Sequence, residues 1–139
     1  MNNRVLKFRV WDKTIKQYRK DDVFMVDING YLWFTEDYGD GEGQLRVDLA
    51  KKDIFIIQQF TGLLDKKGKE IYEGDIVKID SRIGVVEYSL YLNLCEYRLF
   101  LIEDFNNKGD WCRGTFEFDD SIRMKVIGNI FENPEFLNK

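Results

Sequence analysis

The groups in this chain that could carry chemistry are its 25 carboxylates; histidine is absent and cysteine occurs only twice. Without histidine, Ser-His and Cys-His nucleophilic catalysis lose their general base, and His-containing zinc sites lose a ligand. Cys95 and Cys112 are too few for a four-cysteine zinc site or a disulfide framework, so free, mostly buried thiols in a reducing compartment are expected. Paired carboxylates suit glycoside hydrolysis, but that reaction needs a fixed separation in space, which sequence spacing does not define. The acidic stretch Asp37-Tyr38-Gly39-Asp40-Gly41-Glu42 offers oxygen ligands for a divalent cation. It departs from the calcium-loop pattern D-x-[DN]-x-[DN]-G and lacks the later bidentate Glu, so it reads as a solvated loop. Gly39-x-Gly41-x-Gly43 precedes no helical pattern and no Walker lysine, so it is not a phosphate loop. The residues therefore imply no catalytic set, no metal and no cofactor.

Binding is the other chemistry to weigh. Residues 1–20 hold seven basic side chains and one acid, and residues 21–50 hold one base and eight acids. Lys7, Arg9, Trp11, Lys13 and Tyr18 could track a phosphate backbone and stack bases. Two adjacent strands of opposite charge that neutralise one another across a sheet explain the same pattern and are preferred. Further on, Glu73-Gly74-Asp75-Ile76-Val77 and Gly84-Val85-Val86 bracket a possible ligand groove near Tyr72, Arg82 and Tyr88. Glycines at the corners of a small barrel need no ligand to explain them. A protein partner or a homo-oligomer is favoured over nucleic acid, because 21 aromatics exceed what a core of this size must hide.

These side chains need elements to position them. At 139 residues the chain suffices for one domain or two small halves. Its longest apolar runs, such as Ile54-Phe55-Ile56-Ile57, are too short for a membrane helix, and the first residues lack a signal-peptide core, so a cytoplasmic location without membrane insertion is expected. Val5 to Trp11 alternates, with Leu6, Phe8 and Val10 on the face expected to be buried. Val23–Ile28 and Tyr31–Thr35 flank Asn29-Gly30, a hairpin signal whose residues tolerate positive φ. Leu45–Asp48 reads as a strand, Leu49–Asp53 as a helical turn and Ile54–Phe60 as a strand. Asp65-Lys66-Lys67-Gly68 predicts a tight turn closed by glycine, and Glu73-Gly74-Asp75 a second. Ile76–Ile79, Ile83–Tyr88, Cys95–Ile102, Thr115–Phe118 and Met124–Phe131 read as strands, with a bulge or a close backbone approach expected at Gly84 and a bulge at Gly128. Pro134 begins a short terminal helical turn. Some ten short strands and almost no helix predict an all-β protein: a twisted sheet over residues 1–60 packed on a small barrel over residues 61–139. Truncating Phe8, Phe34 or Val126 is expected to damage folding.

Three blocks carry a family resemblance. Phe8-Arg9-Val10-Trp11-Asp12-Lys13, the run from Gln59 to Val77 (QFTGLLDKKGKEIYEGDIV), and Val126-Ile127-Gly128-Asn129-Ile130-Phe131-Glu132-Asn133-Pro134 resemble, in that order, the YopX family of phage and prophage proteins. Val10 stands where a small residue is usual, and Phe131 where Tyr is usual. The resemblance implies an all-β fold with an SH3-like barrel in the C-terminal half and a bacterial or prophage origin. It implies no activity and brings no catalytic residues with it.

Overall fold

A computed structural model of the chain describes residues 5–19, 24–27, 29, 32–36, 44–47, 54–91, 94–101 and 123–138. These are nearly all strand: β1 (Phe8–Asp12), β2 (Gln17–Tyr18), β3 (Phe24–Val26), β4 (Leu32–Glu36), β5 (Gln44–Val47), β6 (Phe55–Leu64), β7 (Glu70–Tyr72), β8 (Asp75–Ile79), β9 (Arg82–Tyr91), β10 (Leu94–Leu101) and β11 (Met124–Asn129). A 3-10 turn, Pro134–Asn138, follows where Pro134 predicts one. The strand orders are β2-β1-β6-β7, β10-β9-β8-β11 and β3-β4-β5. Two compact units are distinguished: Arg9–Ile57, and Met1–Phe8 with Gln58–Lys139. The first eight residues thus group with the C-terminal stretch.

In the larger unit, β8 is covered on both faces. Val77 and Ile79 join Ile71, Val86, Leu99, Met124 and Val126 in one cluster. Ile76, on the other face, joins Val85, with Ile127, Ile130, Phe136 and Leu137 packed around them. A strand with two buried faces favours the near-continuous β-branched run Ile-Val-x-Ile. The 3-10 turn supplies Phe136 and Leu137, so the terminal proline serves to bring a lid onto the second face.

The corners follow from glycine. Gly68 sits at φ 78° and Gly74 at φ 77°, where a side chain would be strained. Gly74 also lies against buried Gln58: a Cβ there would stand 2.0 Å from the Gln58 Nε2. The bulge expected at Gly128 is present as a register shift between Val126 and Gly128. No bulge forms at Gly84. Gly84 pairs with Val77 on one side and Leu101 on the other in unbroken register.

In the smaller unit, β1 and β2 form a hairpin in which Trp11 faces Tyr18. β3 and β4 form the hairpin predicted around Asn29, with Val26 opposite Leu32. Between them the Asn29 N–H donates to the Asp27 carboxylate, and Ile28, Gly30 and Tyr31 lie outside the described residues. The face assignment of the first strand needs correction. Leu6 is 65% and Phe8 37% exposed, while Val10, Trp11 and Asp12 are buried in succession. Alternation fails at the strand end, where the buried Asp12 carboxylate, which accepts the Thr14 N–H of the exposed turn that follows, lies next to buried Val10 and Trp11. The expected helical turn at 49–53, the strand at 115–118, the acidic loop at 37–42, Cys112 and the Phe34 side chain lie outside the described residues.

Two outcomes are expected in thermal or denaturant unfolding. Ile76→Ala, at a fully buried site, costs about 2–5 kcal/mol, whereas Phe8→Ala costs clearly less because Phe8 keeps a third of its surface in water. Gly74→Ala costs roughly 1–3 kcal/mol or more from positive φ alone.

Candidate functional site

Among the described residues, several buried polar groups hold turns. Asp65 is buried and its carboxylate accepts three backbone N–H groups: Lys67 at 2.8 Å, Lys69 at 2.9 Å and Val126 at 3.0 Å. Burial alone would raise its pKa. The hydrogen bonds from Val126, Lys69 and Lys67 outweigh that and hold it below the usual 3.8. Asp12, also buried, accepts the Thr14 N–H and hydroxyl, the Ile15 N–H and the Arg19 guanidinium, with Arg19 Nη2 at 2.7 Å. Here too burial pulls the carboxyl upward, and these donors bring it below its ordinary value. Asp75 accepts the Tyr72 N–H at 2.8 Å across the Glu73-Gly74 corner.

Two neutral residues act alike. The Thr61 hydroxyl donates to the Ile71 carbonyl and accepts the Leu63 N–H. The Asn129 side-chain oxygen accepts the N–H groups of Phe131 and Glu132, and the Asn129 backbone N–H donates to Asn133 Oδ1. Gly128 is needed there, because a Cβ would meet that Oδ1 at 2.4 Å.

The residues singled out for binding fall into separate groups. Lys7 is exposed and bonded to both Glu70 oxygens at 2.8 Å, and the Tyr72 hydroxyl donates to the same carboxylate at 2.8 Å. The Lys7 hydrogen bond, then that of Tyr72, holds Glu70 below its ordinary pKa. Tyr72 itself is buried against Phe60, with ring centroids 5.5 Å apart, and its pKa is raised by burial and by Glu70. Arg9, Trp11 and Tyr18 come together: the Arg9 guanidinium lies 4.4 Å over the Tyr18 ring, and Trp11 meets that ring edge-on at 5.0 Å. Trp11 is only 5% exposed, so it is a packing residue and not a stacking platform, which corrects the exposed role considered for it.

Lys13 is exposed, and its N–H donates to the Ile54 carbonyl. Arg82 and Tyr88 are both exposed but stand six residues apart on β9, roughly 20 Å at strand rise, so they do not line one small pocket. Tyr88 instead pairs across the ladder with Tyr97, ring centroids 5.1 Å apart.

Sequence reasoning missed the Lys7–Glu70–Tyr72 cluster, which joins residues 63 positions apart. It also missed Glu87, whose pKa is raised by burial and then by Glu73. Only the Glu73–Glu87 neighbourhood has no local signal at all. Glu70 and Tyr72 stand two apart on a strand and so share a face. Among the described residues no group of three or more His, Cys, Asp or Glu is placed to hold a metal ion, and no helix is long and apolar enough to cross a membrane.

The described residues form an all-β chain in which the buried carboxylates Asp12, Asp65 and Asp75 accept hydrogen bonds at its corners. The YopX protein family model matches residues 7–138, and the chain belongs to that family. Among solved structures it is similar to protein EF1440 from Enterococcus faecalis, with 24% identity, 97% of this chain and 99% of that chain covered, and a TM-score of 0.55. It is also similar to YopX from Bacillus subtilis, with 23% identity, 94% of each chain covered and a TM-score of 0.48. No curated protein matches it.

Asp65→Asn provides a test of the turn chemistry. It keeps the shape but sets an NH2 against backbone donors, and is expected to cost about 1–3 kcal/mol at neutral pH. Because the folded pKa of Asp65 is depressed, its contribution is complete above the unfolded value near 3.8 and is lost as pH falls through the folded value. The stability gap between native chain and variant should therefore close between about pH 5 and the acid limit. A gap independent of pH would count against an ionised Asp65.

Proposed function

We propose that the chain is a non-enzymatic accessory protein of phage or prophage type that acts in the bacterial cytoplasm by binding protein, either another copy or a different partner. The supporting observation is the surface of the larger unit. Leu6, Leu64 at 49% exposure and Tyr88 at 50% present apolar area, while buried Asp65 and Asp75 serve backbone turns. Exposed aromatic and aliphatic side chains are the usual anchors of protein interfaces. The SH3-like closure implied by the family resemblance belongs to this proposal, as do the origin and the location.

A nucleic-acid-binding role through the basic first strand is supported less well. Lys7 is engaged by Glu70, Arg9 lies on Tyr18, and Trp11 is buried.

Replacing Tyr88 or Leu64 by a photo-reactive residue in a producing cell tests the reading. A specific cross-linked protein that persists at high salt is expected. Loss of all capture at both positions, or a nucleic-acid complex whose affinity falls steeply with salt, would overturn it.

A further inference from the structure

Cross-strand register sets three side chains in one row over β11, β8 and β9. Lys125 stands directly opposite Lys78, and Lys78 directly opposite Ile83. Both lysines are exposed, although each lies between buried neighbours: Val77 and Ile79 on β8, Met124 and Val126 on β11. A second basic group borders the row. The Lys66 N–H donates to the Met124 carbonyl at 3.0 Å and the Val126 N–H to the Asp65 carboxylate, which seats the turn carrying Lys66, Lys67 and Lys69 beside β11. Those three lysines are exposed as well. Like charges directly opposite one another weaken a ladder. The acids nearest to these lysines along the chain are engaged by other groups: Asp65 by backbone N–H donors, Glu70 by Lys7 and Tyr72, and Asp80 by Arg123.

An anion laid over the row relieves that repulsion and is attracted by both ammonium groups, which stand on strands roughly 5 Å apart. The third member of the row indicates the class of ligand. Ile83 is half-buried and packs with Ile76, Val85, Phe136 and Leu137, so the row runs from two charges to an apolar side chain. Leu64, 49% exposed, flanks the basic turn in the same way. A phosphate backbone has no use for either apolar group, and a chain of net charge −4 exerts no long-range pull on nucleic acid. Carboxylates alternating with apolar side chains along an extended protein segment match both features. We propose that the Lys125–Lys78–Ile83 row, with the bordering turn of Lys66 and Lys67, docks an acidic segment of a protein partner in which carboxylates alternate with apolar residues. It rests on the reading of the chain as an interaction protein and gives that partner its chemistry.

Fluorescence anisotropy with a labelled peptide of alternating Glu and Leu tests it, beside a peptide of alternating Lys and Leu and a labelled DNA duplex. Circular dichroism and a thermal melt establish that each variant folds. Saturable binding of the Glu-Leu peptide alone is expected, weakening as salt rises. Lys78→Glu should weaken it about tenfold. The same substitution should raise the melting temperature, because it turns a like-charge pair into an opposite-charge one. Affinity and stability then move in opposite directions, which a purely structural role for Lys78 would not produce. The double variant K78E/K125E restores a like-charge pair of the other sign. Its melting temperature should fall back towards that of the native chain, and its preference should pass to the Lys-Leu peptide. No saturable binding of the Glu-Leu peptide, an affinity indifferent to Lys78→Glu, or tighter binding of the duplex would each overturn the proposal. Any of these, beside a specific protein still cross-linked through Leu64 or Tyr88, would remove only the acidic-segment docking and leave the wider interaction reading in place.

Discussion

Asp65 receives N–H groups from two distant parts of the chain: Lys67 and Lys69 in its own turn, and Val126 sixty-one residues later. One buried carboxylate thereby closes the β6–β7 corner and binds that corner to β11. Few alternatives are open to it. Burying a charge without partners is expensive, so the site is stable only while all three donors are in place. The corner, the strand and the ionisation state depend on one another. The Asp65 N–H to Lys69 and the Lys66 N–H to Met124 complete the same junction.

The same device recurs at the other corners. Asp12 gathers the β1–β2 turn and Arg19, Asp75 the turn before β8, and Asn129 the exit from β11. Each of these residues lies in one of the three blocks that carry the family resemblance. The blocks are therefore explained by architecture: they encode the polar clamps and the glycines those clamps press against, Gly74 on Gln58 and Gly128 on Asn133. Short strands with small apolar faces leave register weakly specified, and a buried polar group that accepts only one arrangement removes the alternatives.

Much of the fold was legible because its signals are local. Asn29-Gly30 marks a hairpin, Asp65-x-x-Gly68 a turn, Gly128 a bulge and Pro134 a terminal helical turn, and each stands where its residue chemistry predicts. What escaped was set by long-range contact. Trp11 alternates onto the mixed face with Lys7 and Arg9, yet it is buried, with the Tyr18 ring edge-on against it. Phe8 alternates onto the face assigned to the core, yet stays partly exposed. Gly84 resembles a bulge glycine but lies in a regular ladder beside Val77 and Leu101. The binding candidates suffered likewise. Lys7 and Tyr72 meet because both reach Glu70: the i, i+2 spacing places Glu70 beside Tyr72, but nothing local announces Lys7, 63 positions away.

Hydrogen exchange of the Lys67, Lys69 and Val126 amides, followed through acid titration and corrected for intrinsic rates, tests the shared dependence most directly. If one carboxylate governs all three, their protection falls together at a single midpoint below 3.8, with the turn and β11 opening as one event. Independent midpoints, or a Val126 amide that keeps its protection after the turn amides have lost theirs, would contradict it.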